Sequence, residues 1–154
     1  MLLKPTYIPS KIGHKSNWGQ THGATSALAV AEAAQSHQGP ILTLVKDTDA
    51  ALKLCAELTF FLTGTGLDCL MLPDWEILPY DSFSAHPDIV SERISTLNQI
   101  NHLSQGVVIV PVATLLHRLP PMNYLAGNSF TLSTGQELPQ TQLEICSMPM
   151  VFGK

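Results

Sequence analysis

The chain has 154 residues, 45% of them hydrophobic and 13% charged, which is the size of one domain with a sizeable core and argues against disorder. Its net charge is -4, and its few Lys and Arg are scattered singly, so no basic stripe exists for DNA or an acidic membrane and any nucleic-acid role is expected to be indirect. No run of eighteen apolar residues occurs, and the opening MLLKPTYIPSK has no apolar stretch of signal length, so the expectation is a cytoplasmic protein.

In chain order, the first segment with a readable pattern is "SALAVAEAAQSH" from Ser26, rich in strong helix formers, with Leu28, Ala31 and Ala34 or Gln35 at helical spacing and Gly39-Pro40 as its stop. "ILTLV" at 41–45 is a short apolar run between turn formers and predicts a buried strand. Asp47 or Thr48 then caps a helix with Ala51, Leu54, Cys55, Leu58, Phe61 and Leu62 on one face, ended by Gly64 and Gly66. "DCLMLP" at 68–73 predicts a second strand. The following "DWEILPYDSFSAHP" reads as a loop punctuated by Pro73, Pro79 and Pro87.

Asp88 is expected to cap the next helix, where Val90, Ile94, Leu97 and Ile100 keep the helical period. "GVVIVPV" from Gly106 is the clearest strand in the chain, and "ATLLHRL" a short helix closed by Pro120-Pro121. Strand and helix alternate throughout, which predicts an α/β fold: right-handed crossovers and a parallel sheet covered on both faces. Past Gly127 the character changes to an alternating strand, "NSFTLST", then a turn, and a subdomain boundary is expected there. The units are thus 1–127 and 128–154.

Two segments carry residues that could do chemistry. "GQTHGATS", Gly19 to Ser26, has the length of a phosphate-binding loop, in which Gly, four residues, then Gly-Lys-Ser/Thr precede a helix. Such a loop needs glycine for close backbone approach, lysine to pair the β and γ phosphates, and a hydroxyl for magnesium. Gly19, Gly23 and the Ser26 hydroxyl are present, but Ala24 replaces the second key glycine and Thr25 the lysine. The preceding "KIGHKSNW" is polar and holds no strand to feed the loop. The expected reading is an inherited turn that caps a packed helix, with no cofactor bound.

The second segment gathers Asp74, Glu76, Asp81, His86 and Asp88, a set that could bind a metal or serve as acid and base. Its spacings match no recognised ligand motif, and Trp75, Ile77, Leu78, Tyr80 and Phe83 interleave them, so the expectation is a loop pinned to the core by its apolar residues, without metal. The histidines, His14, His22, His37, His86, His102 and His117, show no HExxH or paired spacing, and no serine or cysteine sits in a Gly-x-Ser-x-Gly setting. The three cysteines, Cys55, Cys69 and Cys146, lie far apart, without zinc or disulfide spacing, and read as reduced, mostly buried thiols. The rival reading is a small nucleotide or phosphate-ester enzyme that brings Ser26 and an acid of residues 74–88 into one pocket.

The stretch "LPDWEILPYDSFSAHPDIVSERISTL" resembles the N-terminal module of the bacterial transcription-repair coupling factor (Mfd) family, with its pattern DWE-x-LPYD-x-FS-x-H-x-D-I-x-SER-x-STL. "GVVIVPVATLLHRLPP" and "GPILTLVKDTDAALKL" extend the likeness over residues 7–144. The resemblance implies a UvrB-like, helicase-type subdomain that has lost its ATP site, followed by a small second subdomain that recruits UvrA. It implies no catalysis by this module. Partners RNA polymerase and DNA would be engaged only through other domains of the long family proteins.

Only about fourteen residues separate the strand near Leu72 from the helix at Asp88, little room for the long DNA-clamping hairpin of the related UvrB. The second subdomain is entered at about Asn128 and left some twenty-seven residues later; the resemblance places the family's arginine-rich UvrA contact after that point, no arginine follows Arg118, and "ICSMPMVFGK" departs from the family pattern. The expectation is a truncated product or fragment whose UvrA surface is incomplete.

Overall fold

The computed structural model describes residues 8, 11–75 and 85–128. Glu76, Asp81 and the apolar residues from Ile77 to Phe83, the expected second unit at 128–154 and Cys146 therefore lie essentially outside the described residues. The elements are α1 (Thr25–Ser36), β1 (Pro40–Val45), α2 (Thr48–Leu62), β2 (Asp68–Met71), α3 (Pro87–His102), β3 (Gly106–Pro111), α4 (Val112–Leu115) and α5 (Met122–Asn128). The three strands form a parallel sheet in the order β1-β3-β2, which bears out the α/β expectation.

That strand order dictates where the helices lie. The chain moves two places across the sheet from β1 to β2 and then one place back to β3. Crossovers of one hand that run in opposite directions must lie on opposite faces. Accordingly α1 and α2 cover the face that carries Val107 and Ile109, whereas Leu97, Ile100 and Leu103 cover Val108 and Val110. β3 is buried along its whole length because it is central and covered on both sides.

Gly106 begins β3 with φ +153, and a Cβ there would sit 2.5 Å from the carbonyl oxygen of Asp68 on β2. Only glycine admits this close approach.

The helices α1, α2 and α3 follow their expected extents to within about a residue, with corrected details. In α1 the buried stripe is Ala27, Ala31 and Ala34, one residue round from the expected Leu28 face. Methyl side chains at this seam let α1 approach α2 closely, and Leu28 stays half-buried beside it. Gln105, in the turn before β3, donates from Nε2 to the carbonyls of Ala34 at 2.9 Å and His37 at 2.8 Å, satisfying the end of α1.

Asp47 caps α2 by accepting the Ala50 N–H at 2.8 Å, and Ala51, Leu58 and Leu62 are buried with Leu54, Cys55 and Phe61 packed beside them. The cap of α3 is His86, whose Nδ1 accepts the Asp88 N–H at 3.3 Å, with Pro87 at the first helical position; Asp88 lies inside the first turn. Proline fits there because its missing N–H would be unpaired anyway.

β1 is not the buried strand its composition suggested. Ile41 and Val45 pack on the α1–α2 layer, while Leu42 and Leu44 are 58% and 51% exposed. β1 is an edge of the described sheet, and α3 lies over β2 and β3, so among the described residues no helix covers the outer face of β1. Pro120-Pro121 do not merely close α4, which spans only four residues. The Pro121 carbonyl accepts the N–H groups of Tyr124 and Leu125 and so starts α5, a helix the sequence reading left out.

Candidate functional site

The segment from Gly19 runs irregularly into α1, and no strand leads into it among the described residues. Gln20 and Gly23 both adopt φ +59. At Gly23 the backbone conformation favours glycine, but neither Gly19 nor Gly23 has any atom within 4 Å of where a Cβ would stand. The close approach for which a phosphate loop needs its glycines is not built here. Thr25, in the lysine place, turns back instead: its N–H and its Oγ1–H both donate to the His22 carbonyl, at 3.2 and 2.7 Å. Ala24 occupies the N-cap without a side-chain bond, and Ser26 is exposed.

Ser26 lies on the wall of an open cleft of about 330 Å³ between the start of α1, the C-terminal half of β1 and α2. Clefts outside the carboxyl ends of parallel strands are where α/β folds bind ligands. Alongside Gly23 and Ser26, the cleft is lined by Thr43, Val45, Lys53 and Glu57. Lys53 and Glu57, four apart on α2, are polar members that sequence reasoning missed. Their only signal is helical spacing, and nothing local ties them to a loop on another element.

The described acids of residues 74–88 do not line this cleft. Asp74 follows β2, which is separated from β1 by the intervening β3, hence by two strand spacings or about 10 Å. Its Oδ1 accepts the Thr114 hydroxyl at 3.2 Å and lies 3.9 Å from His117 Nε2. His86 and Asp88 meet each other at the start of α3. Among the described residues, no group of three or more His, Cys, Asp or Glu is placed to hold a metal ion.

The residue that organises the second segment is Arg93, which sequence reasoning singled out only within the family pattern. It is 2% exposed. Its Nη1 donates to the Pro73 carbonyl, and its guanidinium carbon lies 4.4 Å from the centre of the Trp75 ring. Burial pulls its pKa below the ordinary arginine value, and the Asp74 carboxylate acts in the opposite direction. Its Nε has no hydrogen-bond partner among the described residues. The arrangement fastens the chain leaving β2 to α3, with Asp74 reaching on to α4. It thus does structural work at the same end of the sheet as the cleft.

No family model matches the chain. Transcription-repair-coupling factors are similar to it: that of Escherichia coli K12 is 42% identical over 136 residues, covering 88% of this chain and 12% of the relative. The Haemophilus influenzae protein is 32% identical over 85% of the chain and 11% of its own length, and that of Myxococcus xanthus 30% identical over 79% and 10%. The chain spans about a tenth of the length of these relatives. Identity at this level across most of the chain, over a parallel α/β sheet, places it: the chain belongs to the transcription-repair-coupling factor family.

Proposed function

We propose that this chain is a UvrB-like N-terminal module of a transcription-repair coupling protein, acting without catalysis as a protein-interaction unit in transcription-coupled nucleotide excision repair. In this reading residues 1–127 are a helicase-type subdomain with a degenerate ATP site, and residues 128–154 begin the unit that recruits UvrA. Displacement of stalled RNA polymerase and the grip on DNA belong to other parts of the longer family proteins.

The observation that carries the reading is the use made of Thr25. At the place where a nucleotide site needs a cation, its backbone and hydroxyl both serve a local turn to His22. Family membership supports the repair context, and the net charge of -4 supports protein over nucleic-acid contact.

The test has two arms. Immobilised UvrA should retain the 154-residue chain no better than an unrelated acidic protein, because no arginine follows Arg118 to supply the family's arginine-rich contact, which the resemblance places after residue 154. Tight retention would contradict that placement. A chimaera in which the matched segment of this chain replaces its counterpart in the Escherichia coli relative should still bind UvrA, and a folded chimaera that has lost UvrA binding would contradict the reading as an interchangeable module.

A further inference from the structure

Two of the three cysteines, far apart in sequence, meet in the fold. Cys55 on α2 and Cys69 on β2 place their sulfurs 3.9 Å apart, with the Cys69 thiol donating to the Cys55 sulfur. Both are free and half-buried at the border of the α1–α2 layer, so neither is sealed from small solutes. The chain between them leaves α2 through the Gly64 and Gly66 turns, both at positive φ. Two thiols on separate elements with sulfurs this close are a candidate pair for a disulfide, which forms when side-chain rotation brings the sulfurs to bonding distance.

We propose that Cys55 and Cys69 are an oxidative modification site that a hydroperoxide converts to an intramolecular disulfide linking α2 to β2. Burial holds Cys69 in the thiol form, so the first attack falls to the Cys55 sulfur beside it. That sulfur attacks the peroxide O–O bond, forming a sulfenic acid and, once protonated, releasing water from hydrogen peroxide or an alcohol from an organic hydroperoxide.

Cys69 then forms the S–S bond by displacing the sulfenic oxygen, which leaves as water with the Cys69 proton. Two thiols are oxidised by two electrons and one peroxide is reduced. Burial, then the neighbouring Cys55, raises the Cys69 thiol to about 12, so Cys69 stays protonated at neutral pH until the sulfenic acid forms beside it.

The test is hydrogen peroxide treatment of the folded 154-residue chain, followed by alkylation of remaining thiols and non-reducing peptide mapping. The expected product is one peptide pair joined through Cys55 and Cys69, accompanied by a rise in melting temperature that dithiothreitol reverses. Cys146→Ser should leave both results unchanged. Cys55→Ser and Cys69→Ser should each abolish the cross-link, and in folded Cys69→Ser a sulfenic-acid probe should label Cys55. Sulfinic acid on both residues without a cross-link, a disulfide to Cys146, or cross-linking between chains would overturn the proposal.

Discussion

Truncating Arg93 is the perturbation from which the fold teaches most. The guanidinium donates a charge-assisted hydrogen bond to the Pro73 carbonyl, an interaction class that contributes about 1.5–3 kcal/mol. Its position over the Trp75 ring adds about 0.5–2 kcal/mol. Against these stands the cost of burying a charge whose Nε has no partner among the described residues, a cost that truncation relieves. The cavity left at a site only 2% exposed then adds its own penalty. The balance for Arg93→Ala is a loss of about 2–4 kcal/mol, within the range of a broken buried polar anchor.

Urea unfolding measures this as a shift in midpoint at unchanged slope. Arg93→Met, which refills much of the volume but leaves the Pro73 carbonyl without its donor, should recover part of the loss. Arg93→Lys keeps charge but not the planar group over the ring, and should fall between wild type and Arg93→Ala. With Trp18→Phe as background, the emission of Trp75 should shift on Arg93 substitution. A loss below about 0.5 kcal/mol for Arg93→Ala, with Trp75 emission unchanged, would refute the anchor.

Further expectations concern the joints of the sheet. Gly106→Ala places a Cβ against the Asp68 carbonyl and should cost about 2 kcal/mol or more in thermal unfolding, and an unchanged melting temperature would contradict the close β2–β3 approach. Gln105→Ala removes both donors to the end of α1 and should cost about 1–2 kcal/mol, with faster hydrogen exchange confined to the last turn of that helix.

The Ala50 N–H, then Lys46, holds the Asp47 carboxyl below its ordinary value. A lowered folded pKa means the cap contributes fully above the unfolded value of 3.8 and is lost as pH falls through the lower folded one. Carbon-detected NMR titration should therefore show Asp47 protonating below that value, with the Ala50 amide shifting in parallel, and a midpoint at or above it would contradict the cap.

Elements whose identity rests on local pattern were legible in the sequence, and those decided by their neighbours were not. "GVVIV" reads as a doubly covered strand because every side chain is apolar, and the α2 stripe shows its helical period in residues alone. "ILTLV" is nearly as apolar as "GVVIV", so nothing local reveals that β1 lies at an edge with Leu42 and Leu44 outward. A charged residue inside a helix reads as solvated, and the burial of Arg93 depends on a carbonyl twenty residues away in sequence.

The site divides in the same manner. That Ala24 and Thr25 stand where a phosphate loop would need glycine and lysine is visible in eight residues, but that Thr25 bonds back to His22 is not. Lys53 and Glu57 enter the cleft only because β1 and α2 pack beside the start of α1. Cys55 and Cys69 meet only because α2 packs on β2. Asp88 had the better cap chemistry on paper, yet Pro87 at the first helical position moved the cap two residues earlier, to His86.

The central claim is that a phosphate-loop framework persists here without its nucleotide. Titration calorimetry of the 154-residue chain with ATP, with and without magnesium, tests it most directly. The account predicts no saturable heat up to millimolar nucleotide in either condition. Micromolar, magnesium-dependent binding that Ser26→Ala or Lys53→Ala weakens would contradict it, and would make the cleft beside α1 a working nucleotide site.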